Sequence, residues 1–85
     1  MSSFPVPMQR IRSLALWLRA TRIKAGLTQR QVAEASDIFT GVYGRIERAG
    51  MMPTEESLQR ICRVLKLEYE SVVDRVKRGE EPPED

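Results

Sequence analysis

The chain has no histidine and a single cysteine, Cys62, among its 85 residues. With one thiol and no imidazole, no tetrahedral zinc set can be assembled, and an internal disulfide has no second partner. General acid–base and nucleophilic catalysis lose their usual side chains too, because Cys62 falls on an apolar helical stripe and no serine stands in a nucleophile setting. Neither an enzyme nor a bound cofactor or metal is expected, and no small-molecule ligand is evident. No apolar run approaches the roughly 20 residues that a bilayer span requires. The opening MSSFPVPMQRIR carries no apolar core of a secretory signal. A cytoplasmic protein without membrane contact is therefore expected. Segments that alternate polar and apolar residues over a useful length are also missing, which removes the strand signal.

What is present is an ordinary globular balance, 41% apolar with 31% charged residues, enough for one small domain with a modest core. The net charge of +2 hides an uneven distribution. Between Gln9 and Gly50 eight basic residues face three acidic ones, and from Met51 onward six face nine. A basic front favours a polyanion as partner. Apolar residues recur at spacings of three and four throughout, which predicts an all-α, compact five-helix domain over residues 8–78. A flexible arm, residues 1–7, and a flexible acidic, proline-rich tail, residues 79–85, are expected on either side.

The first helix is predicted from Met8 to Ala25, with Ile11, Leu14, Ala15, Leu18 and Arg22 on one stripe and Gly26 as a left-handed cap. Thr28 caps a second, Gln29 to Ser36, and Asp37-Ile38 forms a tight connection to a third, Phe39 to Arg48. That third helix, FTGVYGRIER, holds Gly41 and Gly44 three residues apart, although each interior glycine costs about 1 kcal/mol relative to alanine. Its buried candidates are Val42 or Tyr43, with Ile46. Thr54 caps a fourth helix with Glu55 and Glu56 in its first turn and Leu58, Ile61, Cys62 and Leu65 inward. A fifth, about Glu68 to Arg78, aligns Tyr69, Val72, Val73 and Val76. This stripe either closes the core against the first helix or forms a homodimer interface, to which Trp17 and Met51 could add.

Two short helices joined by a tight turn beside a basic flank suggest a helix-turn-helix. The run Arg22-x3-Gly26-Leu27-Thr28-Gln29-x2-Val32-Ala33-Glu34-x3-Ile38 carries the first part of the pattern. Tyr43-x-Arg45-Ile46-Glu47-Arg48 and Pro53-Thr54-x3-Leu58-x2-Ile61-Cys62-x2-Leu65 carry the rest. Together they resemble the lambda-repressor and Cro-like (XRE-type) helix-turn-helix family over about residues 11–67. The resemblance implies a sequence-specific transcriptional regulator, a repressor occupying double-stranded DNA as a homodimer, that reads the major groove with helix 39–48. By transfer from the family, Thr40, Gly41, Val42, Gly44 and Arg45 face the bases. Arg45 is able to bond two guanine acceptors and Val42 to pack on a thymine methyl. Phosphate contacts are expected from Thr28, Gln29, Arg30, Thr40, Tyr43 and Arg48 and from the backbone at Gly50-Met51-Met52, although the Tyr43 ring is equally well read as core. Arg22 and Glu47 match the family's buried ion pair between first and third helices.

The chain departs from the family at the recognition helix, where Phe39 holds the usual cap position and glycine the place of a polar base reader. Asp37 or Thr40 would then serve as substitute caps, and base readout is expected to be sparse. If both glycines face the groove, they let the backbone lie close to DNA. The same bare face leaves an alternative function, a protein-interaction module of this fold, antitoxin-like or a co-regulator, with weak DNA binding.

Overall fold

The computed structural model describes residues 8–83. The expected arm, residues 1–7, and the last two residues of the expected tail lie outside the described residues. All regular structure within them is helical: α1 (Met8–Lys24), α2 (Gln29–Ala35), α3 (Thr40–Glu47), α4 (Glu55–Leu65) and α5 (Tyr69–Lys77). No helix there is long and apolar enough to cross a membrane.

Local chemistry sets the ends of these helices. Thr28 closes a full capping box, its hydroxyl oxygen accepting from the Gln31 N–H at 3.0 Å while its own N–H donates to Gln31 Oε1 at 2.8 Å. Thr54 accepts from the Ser57 N–H at 3.1 Å, and Glu55 and Glu56 in the turn that follows complement the helix dipole. Gly26, at φ 75°, turns the chain out of α1. The α2–α3 connection is turned by Asp37 at φ 59°, a left-handed conformation that aspartate tolerates better than most residues. Arg60 of α4 donates to the Ser36 carbonyl at 2.8 Å and so ties this turn to the body of the domain.

The core is continuous. Leu14 and Leu18 of α1 meet Val32 and Ala33 of α2, Tyr43 and Ile46 of α3, Leu58, Ile61, Cys62 and Leu65 of α4, and Val72 and Val76 of α5. α1 packs against α3, α4 and α5, whereas α2 packs against α3 and α4. Burial pushes the Cys62 thiol up to about 11, so it remains a neutral packing group.

At the C-terminal end the structure decides between the two readings of the α5 stripe and corrects the bounds of the tail. Val72 and Val76, offered as dimer contacts, are 2% and 5% exposed, so they close the core instead. Tyr69 and Val73 are half-buried against the same core. The tail does not stand free from Gly79 onward: the Glu80 carbonyl accepts from the Trp17 indole N–H at 2.8 Å and from the buried Ser13 hydroxyl. Arg75 lays its guanidinium over the Trp17 ring, 4.9 Å from the centroid. Gly79 turns the chain into this docking at φ 69°, a conformation that other residues rarely adopt. Ser13 and Trp17 therefore hold a chain segment that charge and proline content alone assign to solvent.

Candidate nucleic-acid interface

The interface is built around α3, whose two faces are sharply different. Tyr43, Ile46 and Glu47 turn inward, and Tyr43 is 0% exposed. Gly41, Arg45 and Arg48, at i, i+4 and i+7, form the outward stripe, with exposed Thr40 at its start and half-buried Val42 on its flank. Arg45 and Arg48 place two cations on that stripe. Gly50 lies under the first of them. A Cβ at Gly50 would fall 2.9 Å from Arg45 Cγ, and the Gly50 N–H donates to the Arg45 carbonyl at 2.8 Å.

The inward face is fixed by charge. Arg22 of α1 donates through Nε and Nη2 to the two oxygens of Glu47, at 2.7 and 3.0 Å, and through Nη1 to the Leu27 carbonyl at 2.9 Å. Gln29, the first residue of α2, donates from Nε2 to Glu47 Oε1 at 3.1 Å. One carboxylate thus joins α1, the α1–α2 turn and α2 to the end of α3. The Glu47 side chain is 1% exposed and that of Arg22 is 14% exposed. Burial pushes the Glu47 carboxyl up, but the hydrogen bonds from Arg22 and Gln29 outweigh it and hold it below its ordinary value of 4.5. The bond to Glu47 raises Arg22 above its ordinary value, so the guanidinium stays charged. Burial also drives the Tyr43 phenol upward, reinforced by the negative charge of Glu47. Its hydroxyl makes no hydrogen bond of good geometry.

The model of the helix-turn-helix family matches residues 18–72. The chain belongs to the lambda-repressor-like helix-turn-helix family. Among solved structures it is similar to two of the clp gene regulator ClgR from Corynebacterium glutamicum. The first has a TM-score of 0.74 and 30% identity over 87% of this chain and 78% of that one. The second has 0.72 and 29%, over 85% and 92%. No curated protein matches the chain. The helix-turn-helix spans α2 and α3 and is a DNA-binding unit of transcription regulators.

Within the helix-turn-helix, several residues fall elsewhere than expected. Tyr43 is core, so its ring and hydroxyl do not reach a phosphate. Gly44 is buried rather than open to the groove: a Cβ there would meet Arg48 Nη1 at 3.1 Å and Gln29 Oε1 at 3.3 Å. Its lack of a side chain eases the crossing of Gln29 to Glu47. Gly41, by contrast, is exposed with nothing within 4 Å of an added Cβ. The two glycines thus answer to different constraints. Met51 is half-buried against the core. Thr28 is exposed; its N–H and hydroxyl oxygen serve the capping box, which leaves the hydroxyl proton able to donate outward. Arg30 shares an exposed ion pair with Glu34 at 3.1 Å, a contact worth well under about 1 kcal/mol that a phosphate can displace. Phe39 is the N-cap of α3 without any side-chain cap bond, and neither Asp37 nor Thr40 replaces it. The resemblance gives Gln29 a phosphate contact and a brace on the start of the recognition helix, and the structure adds its bond to Glu47 at the other end of α3.

Two outcomes follow for stability. Arg22→Ala or Glu47→Ala strands the opposite charge and should cost about 3 to 5 kcal/mol in urea denaturation. Because the folded-state value of Glu47 is depressed, its contribution is complete above pH 4.5 and is lost as pH falls through the folded value. The stability gap between the parent and Glu47→Gln should therefore be constant near neutrality and close in acid; a gap that widens in acid contradicts the assignment. For the glycines, Gly41→Ala should raise stability by up to about 1 kcal/mol. Gly44→Ala should gain distinctly less, since Gln29 must give way, and equal gains would show that Gly44 is not under Gln29.

Proposed function

We propose that this protein is a sequence-specific transcriptional repressor that occupies an operator, reading the major groove with α3. The observation that carries the reading is the outward stripe of Gly41, Arg45 and Arg48 on a helix whose opposite face is clamped by the buried Arg22–Glu47 pair. A rigid helix with cations and a bare backbone on one side suits a groove walled by phosphates. Arg45 reads a guanine through its two acceptors, a contact worth about 1 to 3 kcal/mol of discrimination. Thr40 lies beside it for a base edge or phosphate. Arg48, Arg30, Gln29 and Thr28 supply the phosphate contacts that set position without selecting sequence. Gln29 does so from the start of α2, where free N–H groups and the helix dipole favour an anion. The similarity to ClgR, named as a gene regulator, supports transcription control as the setting.

One copy reads little sequence, because α3 is eight residues long and offers a single long base-reading side chain, Arg45. Two copies related by a two-fold axis double the readout, with half-sites one turn apart, roughly 34 Å. With Val72 and Val76 in the core, the α5 residues left for such a homodimer are Tyr69 and Val73.

Selection of bound duplexes from a random pool, followed by affinity measurement across a salt series, tests this reading. An inverted repeat should emerge, and log K should fall linearly with log salt by about 0.9 for each phosphate neutralised. Arg45→Ala should relax the preference at one guanine per half-site. Absence of both a selected sequence and a salt slope would overturn the reading.

A further inference from the structure

α1 is apolar on two sides. Leu14, Ala15 and Leu18 face the core. On the opposite side Leu16, Ala20 and Ile23, at i, i+4 and i+7, form a second stripe, in which Leu16 is half-buried, Ala20 exposed and Ile23 52% exposed. The helix is 17 residues long, so the face that carries this stripe extends for about 25 Å. Its two edges are unlike. Arg12 and Arg19, seven residues apart and both exposed, share one edge. Ser13 and Trp17, one turn apart, form the other, and there they hold the Glu80 carbonyl. The strap anchored in this way, residues 79–83, sets Pro82 and Pro83 in one shallow groove with Trp17, Ala20 and Ile23 and leaves Glu80 and Glu81 exposed. Two prolines add apolar surface without N–H groups that need partners. The face therefore runs from a basic edge across an apolar centre to an acidic edge.

We propose that this face of α1 is the homodimer interface, in which two copies pair their α1 helices in parallel about a two-fold axis that runs along them. The inference deepens the repressor reading and rests on it. Charge selects the parallel arrangement. Rotation about an axis along α1 lays the arginine edge of one copy on the acidic strap of the other, whereas a two-fold axis across α1 sets arginine against arginine. The orientation also suits the operator. α1 ends at Lys24 and turns at Gly26 toward Thr28 and Gln29, which the repressor reading places at the phosphates. An axis along α1 thus points toward the DNA and presents both copies of α3 to one duplex. α3 packs on the core side of α1. Packed helices lie about 8–10 Å apart, so the series α3, α1, α1, α3 spans roughly 30 Å, the scale of one turn between half-sites. Tyr69 and Val73 of α5, one turn apart and half-buried, offer a smaller patch. The α1 face is itself narrow, at the low end for interfaces, so association is weak in solution and is completed on the operator.

The test uses the full chain. Sedimentation across a concentration series should show a monomer–dimer equilibrium. Ile23→Glu should shift its midpoint by roughly tenfold or more, because association buries a carboxylate without a partner. Ile23 is exposed in a single copy, so the melting temperature of this variant at monomeric concentrations should match the parent's. Ala20→Cys and Ile23→Cys should each form a covalent dimer on air oxidation, since parallel pairing sets every residue of the stripe opposite its own counterpart. Gln59→Cys, exposed on α4, should stay monomeric, and the native Cys62 is buried. An unchanged midpoint in Ile23→Glu, or a covalent dimer at only one of the two stripe positions, overturns the proposal. So does an Ile23→Glu protein that melts lower yet associates like the parent, the outcome expected if residues 1–7 of the same chain cover this face. A parent that selects no sequence from a random pool overturns the DNA reading, and sedimentation and crosslinking then decide the α1 interface on their own.

Discussion

The arrangement of this domain depends on one buried carboxylate. Glu47 sits at the end of α3 and receives hydrogen bonds from Arg22 of α1 and Gln29 of α2, while Arg22 also bonds the Leu27 carbonyl in the turn between those helices. Removing two charges from water is costly, and such a pair contributes less to net stability than to selecting one arrangement over others. Here the arrangement selected is the angle of α3. Apolar packing of Tyr43 and Ile46 against Leu14 and Leu18 fills the core but tolerates small rotations. A bidentate guanidinium–carboxylate pair does not, because its two bonds fix direction as well as distance.

That constraint bears on one of the two glycines of this short helix. Gly44 eases packing from within: an added Cβ would press on the ends of Gln29 and Arg48, which would have to shift slightly. Gly41 has no such neighbour, and its bareness is available to whatever the outward face binds. The stripe is therefore rigid beneath and open above, which suits a surface that must present Arg45 at a fixed height. α3 also forgoes a side-chain cap at Phe39. Its stability comes from tertiary contacts and very little from intrinsic propensity.

Much of this was legible in the sequence. The five helices followed from apolar spacing, and Thr28, Thr54 and Gly26 marked ends that the structure places within a residue or so. What periodicity could not give was the partner of each face. Tyr43 and Gly44 lie one and two positions beyond Val42, and on a helix this short a step of 100° separates core from groove with no polar marker. Val72 and Val76 read equally well as core or as dimer surface, since both need the same stripe. Residues 79–83 read as tail because glutamate and proline dominate there. The contact that holds them is made by a backbone carbonyl, which carries no sequence signal, and by Ser13 and Trp17, some 65 positions away.

The central claim, that the Glu47 carboxylate sets the position of α3 and leaves the rest of the core to apolar packing, is tested most directly by amide hydrogen exchange in Glu47→Gln at neutral pH. The account predicts that protection falls most in α3 and the start of α2, while the interior amides of α4 and α5 keep most of theirs. Equal acceleration across all five helices, or no change in α3, would contradict it.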